Sequence, residues 1–219
     1  MEVITRIHEP MNGKKLANMI SDIGRKYTPD FQVDDDNKFV YNHLTAWILG
    51  SPALRSLDPM TGKERAGNVK QGIYICGNTG SGKSLLMQVM LDFAKQNEIK
   101  YGIKDYLFDF AWWQVKADKI CDYYSRNGDL YDFEQEFILC IDDLGTESAE
   151  SVYMGNRINV LRQLIEYRLD EPDKITIITS NLPIKSPQFA QKYGDRVVSR
   201  LQQCNYYELK GNDRRVKTI

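Results

Sequence analysis

Eight consecutive residues, Gly77-Asn78-Thr79-Gly80-Ser81-Gly82-Lys83-Ser84, constrain this chain more than any others. They fit the pattern G-x-x-x-x-G-K-[ST] and follow a short apolar run, Ile73-Tyr74-Ile75-Cys76. The stretch after them carries Leu85, Leu86, Val89, Met90 and Phe93 at helical spacing. Strand, glycine loop and helix, in that order, form the setting a phosphate-binding loop requires. Its glycines let the backbone fold back, so that successive N–H groups aim at phosphate oxygens beside the positive end of a helix. Lys83 is then placed to neutralise the β- and γ-phosphates of a nucleoside triphosphate, and the Ser84 hydroxyl to ligate Mg²⁺. The whole segment from Gly77 to Leu85 is the expected nucleotide-binding element.

A second segment fits the same chemistry. Phe137-Ile138-Leu139-Cys140-Ile141-Asp142-Asp143 is an apolar run ending in two carboxylates. Buried parallel strands have such sequences, and their C-terminal ends are where open α/β sheets place ligands. Asp142 is the candidate ligand for Mg²⁺, since hard cations prefer carboxylate oxygen. Asp143 is the candidate for orienting and deprotonating an attacking water. Two adjacent acids at a strand end also suit a helix cap or a turn. Glu147, four residues on, reads as a solvated loop acid that at most shares the role of Asp143.

Ile175-Thr176-Ile177-Ile178-Thr179-Ser180-Asn181 is another buried strand with a polar tip. It is expected between the phosphate-loop strand and the acidic strand, with Asn181 reaching the γ-phosphate or the water; Ser180 to Pro183 otherwise makes a simple turn. Further on, Arg196 and Arg200 stand four apart on one helix face. An arginine that reaches a neighbouring subunit's γ-phosphate stabilises transition-state charge and is worth about 10³–10⁵ in rate. Ordinary surface ion pairs are the alternative for both. Arg214 and Arg215 lie beyond the last strand, either approaching a phosphate or forming a basic tail.

From Gly72 onward apolar strands alternate with amphipathic helices, which argues for a parallel α/β sheet. The expected strands are 73–76, 104–108, 137–141, 175–179 and 205–209, with helices near 83–96, 110–125, 153–169 and 187–201. A helix is also expected over 37–49, and a loop over 51–69. Residues 1–35 stand apart as a short helical and linker segment before an ATPase domain of residues 36–219. Asn12 is the expected cap of a helix bearing Leu16, Met19, Ile20 and Ile23, which packs on the core or docks a partner. Tyr27 to Asp36 reads as a linker. Net charge is −1, so any nucleic-acid contact needs a local basic patch. Nothing resembles a signal peptide, no apolar run reaches membrane-spanning length, and the four cysteines form no C-x-x-C pair. A cytoplasmic, reducing compartment and no zinc site follow as expectations.

Taken together, these residues resemble the DnaC/DnaI/IstB group of AAA+ ATPases. The resemblance rests on Gly77 to Ser84, on Ile141-Asp142-Asp143-Leu144-Gly145-Thr146-Glu147, and on Ile165-Glu166-Tyr167-Arg168. It continues through Thr179-Ser180-Asn181-Leu182 and Gly194-Asp195-Arg196-Val197-Val198-Ser199-Arg200-Leu201. It implies a five-stranded parallel P-loop core flanked by helices, without a C-terminal helical lid, that binds ATP and Mg²⁺. By resemblance Asn181 is sensor I, Arg200 the trans-acting finger with Arg196 the weaker candidate, and Arg214 or Arg215 sensor II. The implied activity is ATP hydrolysis in a loader that binds single-stranded DNA, self-associates through the trans arginine and delivers the hexameric replicative helicase. Trp112, Trp113, Lys116 and Lys119 are candidate DNA contacts, although aromatics at helical spacing are more often core. Other members of the group implicate a transposase and duplex DNA; a small-molecule kinase is the remote alternative. Loaders of this type carry a sizeable helicase-docking region, for which the helix around Leu16 to Ile23 is the substitute here.

Overall fold

The computed structural model describes residues 5–103 and 106–211. The first half runs β1 (Thr5–Ile7), α1 (Gly13–Tyr27), α2 (Lys38–Ile48), β2 (Arg55–Leu57), β3 (Glu64–Ala66), β4 (Ile73–Gly77) and α3 (Lys83–Gln96). Next come β5 (Lys100–Ile103), β6 (Tyr106–Asp109), β7 (Trp113–Lys116), α4 (Ala117–Asn127), α5 (Tyr131–Gln135) and β8 (Ile138–Leu144). The chain continues through β9 (Ser151–Tyr153), β10 (Asn156–Ile158), α6 (Val160–Asp170), β11 (Ile175–Ser180), α7 (Pro187–Tyr193), α8 (Asp195–Leu201) and β12 (Asn205–Leu209).

The main sheet has seven strands in the order β3-β2-β12-β4-β11-β8-β7. Its five strands from β12 to β7 are mutually parallel, as expected for the core, and β11 lies between β4 and β8. The other two strands, β2 and β3, form an antiparallel hairpin added at the β12 edge, where a loop was expected. Each is only three residues long, too short to leave a periodic signal in the sequence.

Four further expectations are corrected. The strand expected over 104–108 is not in this sheet: β6 pairs with β5, which also pairs with β1, in a separate three-stranded antiparallel sheet. Its place beside β8 is taken by β7, inside the stretch expected to be helical, and the helix begins only at Ala117. A hairpin of β9 and β10 likewise precedes α6, and the helix expected over 187–201 is broken in two at Gly194.

Successive strand residues face opposite ways, so the sheet feeds two cores. Ile73, Ile75, Cys140 and Ile177 meet α1, α2 and α3 on one face, while Tyr74, Cys76, Leu139, Ile141 and Ile178 meet α4, α6, α7 and α8 on the other. Asn12 caps α1 as expected, its side chain accepting from Lys15 N–H at 2.8 Å. Ile20 and Ile23 of that helix are buried, and α1 lies against α3. The supposed linker also folds onto the body, because Phe31 is 6% exposed and its ring fills the space beside Gly24.

Arg168 ties the start of the sheet together. It is fully buried, and its guanidinium donates to the carbonyls of Phe133, Glu136 and Ile175 and to Thr176 Oγ1. Burial lowers its pKa to about 10, so it stays charged at neutral pH. All four cysteines are buried and unpaired, and among the described residues no helix is long and apolar enough to cross a membrane.

Candidate functional site

Between β4 and α3 the chain turns through Gly80 and Gly82 with φ of +78° and +96°, a region that favours glycine. Gly77 is needed for a different reason: a Cβ there would lie 2.5 Å from the Leu209 carbonyl oxygen of neighbouring β12. Lys83 Nζ donates to the carbonyls of Gly77 at 2.7 Å and Asn78 at 3.0 Å, holding a buried cation in the loop. Ser81 Oγ is buried and has no hydrogen-bond partner. Asn78 and Thr79 are exposed at the rim.

The acidic strand ends beside this loop. Asp142 is 3% exposed, and its Oδ1 accepts from Ser84 Oγ at 3.0 Å and from Thr179 Oγ1 at 2.6 Å. Thr179 Oγ1 in turn accepts from the Asp143 N–H at 3.0 Å. One hydroxyl thus links both acids to the tip of β11. Asp143 has φ of +57°, which turns its side chain out of the strand's alternation. Asn181 is exposed just past β11, its Oδ1 3.3 Å from where a Gly145 Cβ would stand. The structure therefore brings Lys83, Ser84, Asp142 and Asp143 together, with Asn181 on the adjoining strand end.

Glu147 is not a solvated acid. Its side chain is 2% exposed, and Oε2 accepts from the Gly145 N–H at 2.8 Å. Oε1 accepts from Tyr193 Oη at 2.5 Å and lies 2.9 Å from Lys192 Nζ. Lys192 Nζ also donates to the carbonyls of Gly145 and Glu147 at 3.0 and 2.6 Å. Burial first, and then the Glu147 charge, push the Tyr193 phenol far above its ordinary pKa.

Arg196 and Arg200 share a helix face, as expected, and both meet Asp170. Arg200 Nε lies 2.5 Å from Asp170 Oδ1, and Arg196 NH2 3.0 Å from Oδ2. The hydrogen bond from Arg200 comes first among the causes that hold the Asp170 carboxyl below its usual pKa. Helix α6 ends at Asp170 just before β11 begins, and α8 ends just before β12 begins. The arginines therefore sit at the N-terminal edge of the parallel strands, whereas Lys83 and Asp142 sit at the C-terminal edge. Arg214 and Arg215 lie outside the described residues.

Of the proposed DNA contacts, Trp112 is corrected: it is 5% exposed and packs edge-on against Phe110. Trp113 is exposed on edge strand β7 and stacks on Phe133 at 5.0 Å. Lys119 pairs with Asp122, and Lys116 is exposed. Sequence reasoning assigned no role to Thr179 and misjudged Glu147. Thr179 had a signal in its hydroxyl at the end of an otherwise apolar run, but Glu147 had none beyond its place after the paired acids.

This five-stranded parallel core, with the phosphate loop after β4, paired acids near the end of β8 and the polar end of β11 between them, has the fold of several solved replication proteins. The crystal structure of the DnaC helicase loader is similar at TM-score 0.54 and 15% identity, over 84% of this chain and 95% of that one. Replication initiator DnaA bound to AMPPCP and single-stranded DNA is similar at TM-score 0.52 and 19% identity, over 85% and 50%. AMPPCP-bound DnaA from Aquifex aeolicus is similar at TM-score 0.50 and 18% identity, over 83% and 49%. The chain spans about half the length of these initiator structures. No protein-family model and no curated protein matches it.

Proposed function

We propose that this protein is an ATP-dependent loader of a hexameric replicative helicase that binds single-stranded DNA. The observation that carries the reading is the pair of hydroxyls, Ser84 and Thr179, that converge on Asp142 beside the Lys83 loop. Such a cluster fits Mg·ATP. Lys83 offers a buried ammonium that donates to the Gly77 and Asn78 carbonyls of the loop, and Ser81 a buried hydroxyl without a partner. Ser84 and Asp142 together supply the hydroxyl and carboxylate oxygens that Mg²⁺ prefers. When bound, Mg·ATP supplies the phosphoryl group whose hydrolysis resets the machine.

In this reading the N–H groups from Asn78 to Leu85 and the Lys83 ammonium hold the phosphates. Asp143 takes the proton of a water that Asn181 helps to orient. Arg200, with Arg196 beside it, is offered to the site of the next protomer, because both lie at the far edge of the sheet from their own phosphate loop. Residues 36–219 carry the ATPase. Residues 1–35 present the outer face of α1, with Lys14, Lys15 and Lys26 exposed, to a partner. The helicase assignment is supported by a likeness that spans nearly all of the DnaC loader chain.

The test is a loading assay with the replicative helicase of the same cell and circular single-stranded DNA. ATP is expected to produce a loader–helicase complex and to transfer the helicase onto the circle. Lys83→Ala should abolish nucleotide binding and transfer together. No complex with the helicase, alongside tight binding to duplex DNA and recruitment of a transposase, would overturn the assignment.

A further inference from the structure

A buried acid just past the catalytic pair joins two parts of the molecule that the proposed reaction needs at different sites. We propose that Glu147 is a positioning residue that holds the water-activating acid of its own protomer and the arginine helix offered to the neighbour as one body. The inference rests on the roles given above to Asp143 and Arg200.

The segment it grips is strained. Asp143 has φ of +57°, a conformation that outside glycine persists only where the surroundings over-determine it, and Gly145 follows at +111°, which glycine adopts freely. Glu147 closes a hydrogen bond back onto the Gly145 N–H, while Lys192 Nζ takes the Gly145 carbonyl. The two peptide units that flank the Gly145 Cα are thus each held by one member of a single ion pair. On the other side the β11 tip closes the bracket, since Ser180 Oγ donates to the Leu144 carbonyl at 2.6 Å.

The far end of the same clasp is the end of α7. Lys192 and Tyr193 are its last residues, and only Gly194 separates them from α8. The Gly194 joint is bonded into both helices, its N–H donating to the Ala190 carbonyl at 2.8 Å and its carbonyl accepting from the Val198 N–H at 3.3 Å. A displacement of the Asp143 loop is therefore transmitted through Glu147 to Lys192 and Tyr193, and from them to the helix carrying Arg196 and Arg200. Glu147 is not itself the base: Gly145, Tyr193 and Lys192 occupy both its oxygens. Its charge matters because a neutral amide there cannot pair with the Lys192 ammonium.

The deciding experiment uses full-length protein under conditions where it self-associates. Glu147→Gln is expected to bind an ATP analogue within about twofold of wild type and keep its KM, with kcat reduced about tenfold or more. The second arm mixes protomers. Lys83→Ala contributes only its arginine and Arg200→Ala only its nucleotide site, so together they should restore hydrolysis. Adding Glu147→Gln to the Lys83→Ala chain should cut that restored rate about fivefold or more. Undiminished donation by this double variant, or a fall in melting temperature with turnover per folded molecule unchanged, would overturn the proposal alone. If the parent pair restores nothing, the trans-arginine reading falls and this proposal falls with it. Should Glu147→Gln fail to fold, Tyr193→Phe removes one contact to the same carboxylate and decides the question in the same two assays.

Discussion

Asp142 and Asp143 share one hydroxyl, and the chemistry of the pair depends on which way that hydroxyl points. The Thr179 hydroxyl donates a hydrogen bond to Asp142 and accepts one from the Asp143 N–H, so it orients the first carboxylate while anchoring the backbone of the second. Thr179→Val keeps the β-branched shape but leaves a buried carboxylate short of a donor, a loss of about 1–3 kcal/mol. Half of that donor set survives, because Ser84 still reaches Asp142. The variant should therefore bind ATP but show a raised Mg²⁺ requirement and about tenfold slower hydrolysis, read by titrating metal at saturating nucleotide. Asp143→Asn should differ in kind, with nucleotide and metal affinities unchanged and turnover lost. Equal effects of the two substitutions on metal affinity would remove the distinction between a metal acid and a water acid.

At the scale of elements, each strand inside the parallel core was legible, as were α1, α2 and α3, whereas the short edge strands and hairpins were not. β4, β8 and β11 are buried on both faces and read as mainly apolar runs with polar ends. α3 begins at Lys83 as expected, because the glycine loop leaves it no other start. β7 fails the same test: an edge strand of four residues, Trp113-Gln114-Val115-Lys116, it alternates too briefly to be told from the helix that follows. β6 misleads in the opposite sense, since Tyr106, Leu107 and Phe108 look like core but stay exposed in a small antiparallel sheet. The segment after α1 was misread because Phe31 finds its partner in a distant-looking gap, the missing side chain of Gly24. That gap supports a prediction. A Cβ at Gly24 would lie 2.2 Å from the Phe31 ring, whereas one at Gly13, in the same helix, meets nothing within 4 Å. Overpacking costs about 1–3 kcal/mol, and the gain in helix propensity over glycine offsets at most about 1. Gly24→Ala should thus lower the melting temperature by a few degrees, and Gly13→Ala should leave it level or raise it slightly. Matching shifts for the two would mean that the Phe31 segment is not seated on α1.

For the whole molecule, the key relation is between its two edges. Residues for binding phosphate lie at the C-terminal edge of the parallel strands and the paired arginines at the other, so in the proposed mechanism one protomer holds two halves of different sites. Sequence alone placed the arginines on one helix face but could not show Asp170, thirty residues earlier in the chain for Arg200, waiting between them. In that mechanism the aspartate makes the lone protomer a competitor of its own assembly, because a guanidinium paired at home must leave before it can reach a neighbour's phosphate. The pairs are solvent-accessible, with side-chain exposures of 57% for Arg196, 41% for Asp170 and 26% for the half-buried Arg200, so the hold is modest. An arginine on a phosphoryl group in flight contributes about 10³–10⁵ in rate, far more than such a tether costs. Asp170→Asn should accordingly leave ATP affinity of the monomer unchanged and lower the protein concentration needed for ATP-dependent association by about two- to fivefold. Sedimentation velocity across a concentration series would show the shift, and added salt should narrow it by weakening the Asp170 pairs in the unaltered protein. If association instead weakens when Asp170 is neutralised, the aspartate is aligning the arginines for the neighbour rather than restraining them, and the helix that carries them is already set in its assembled position before any second protomer arrives.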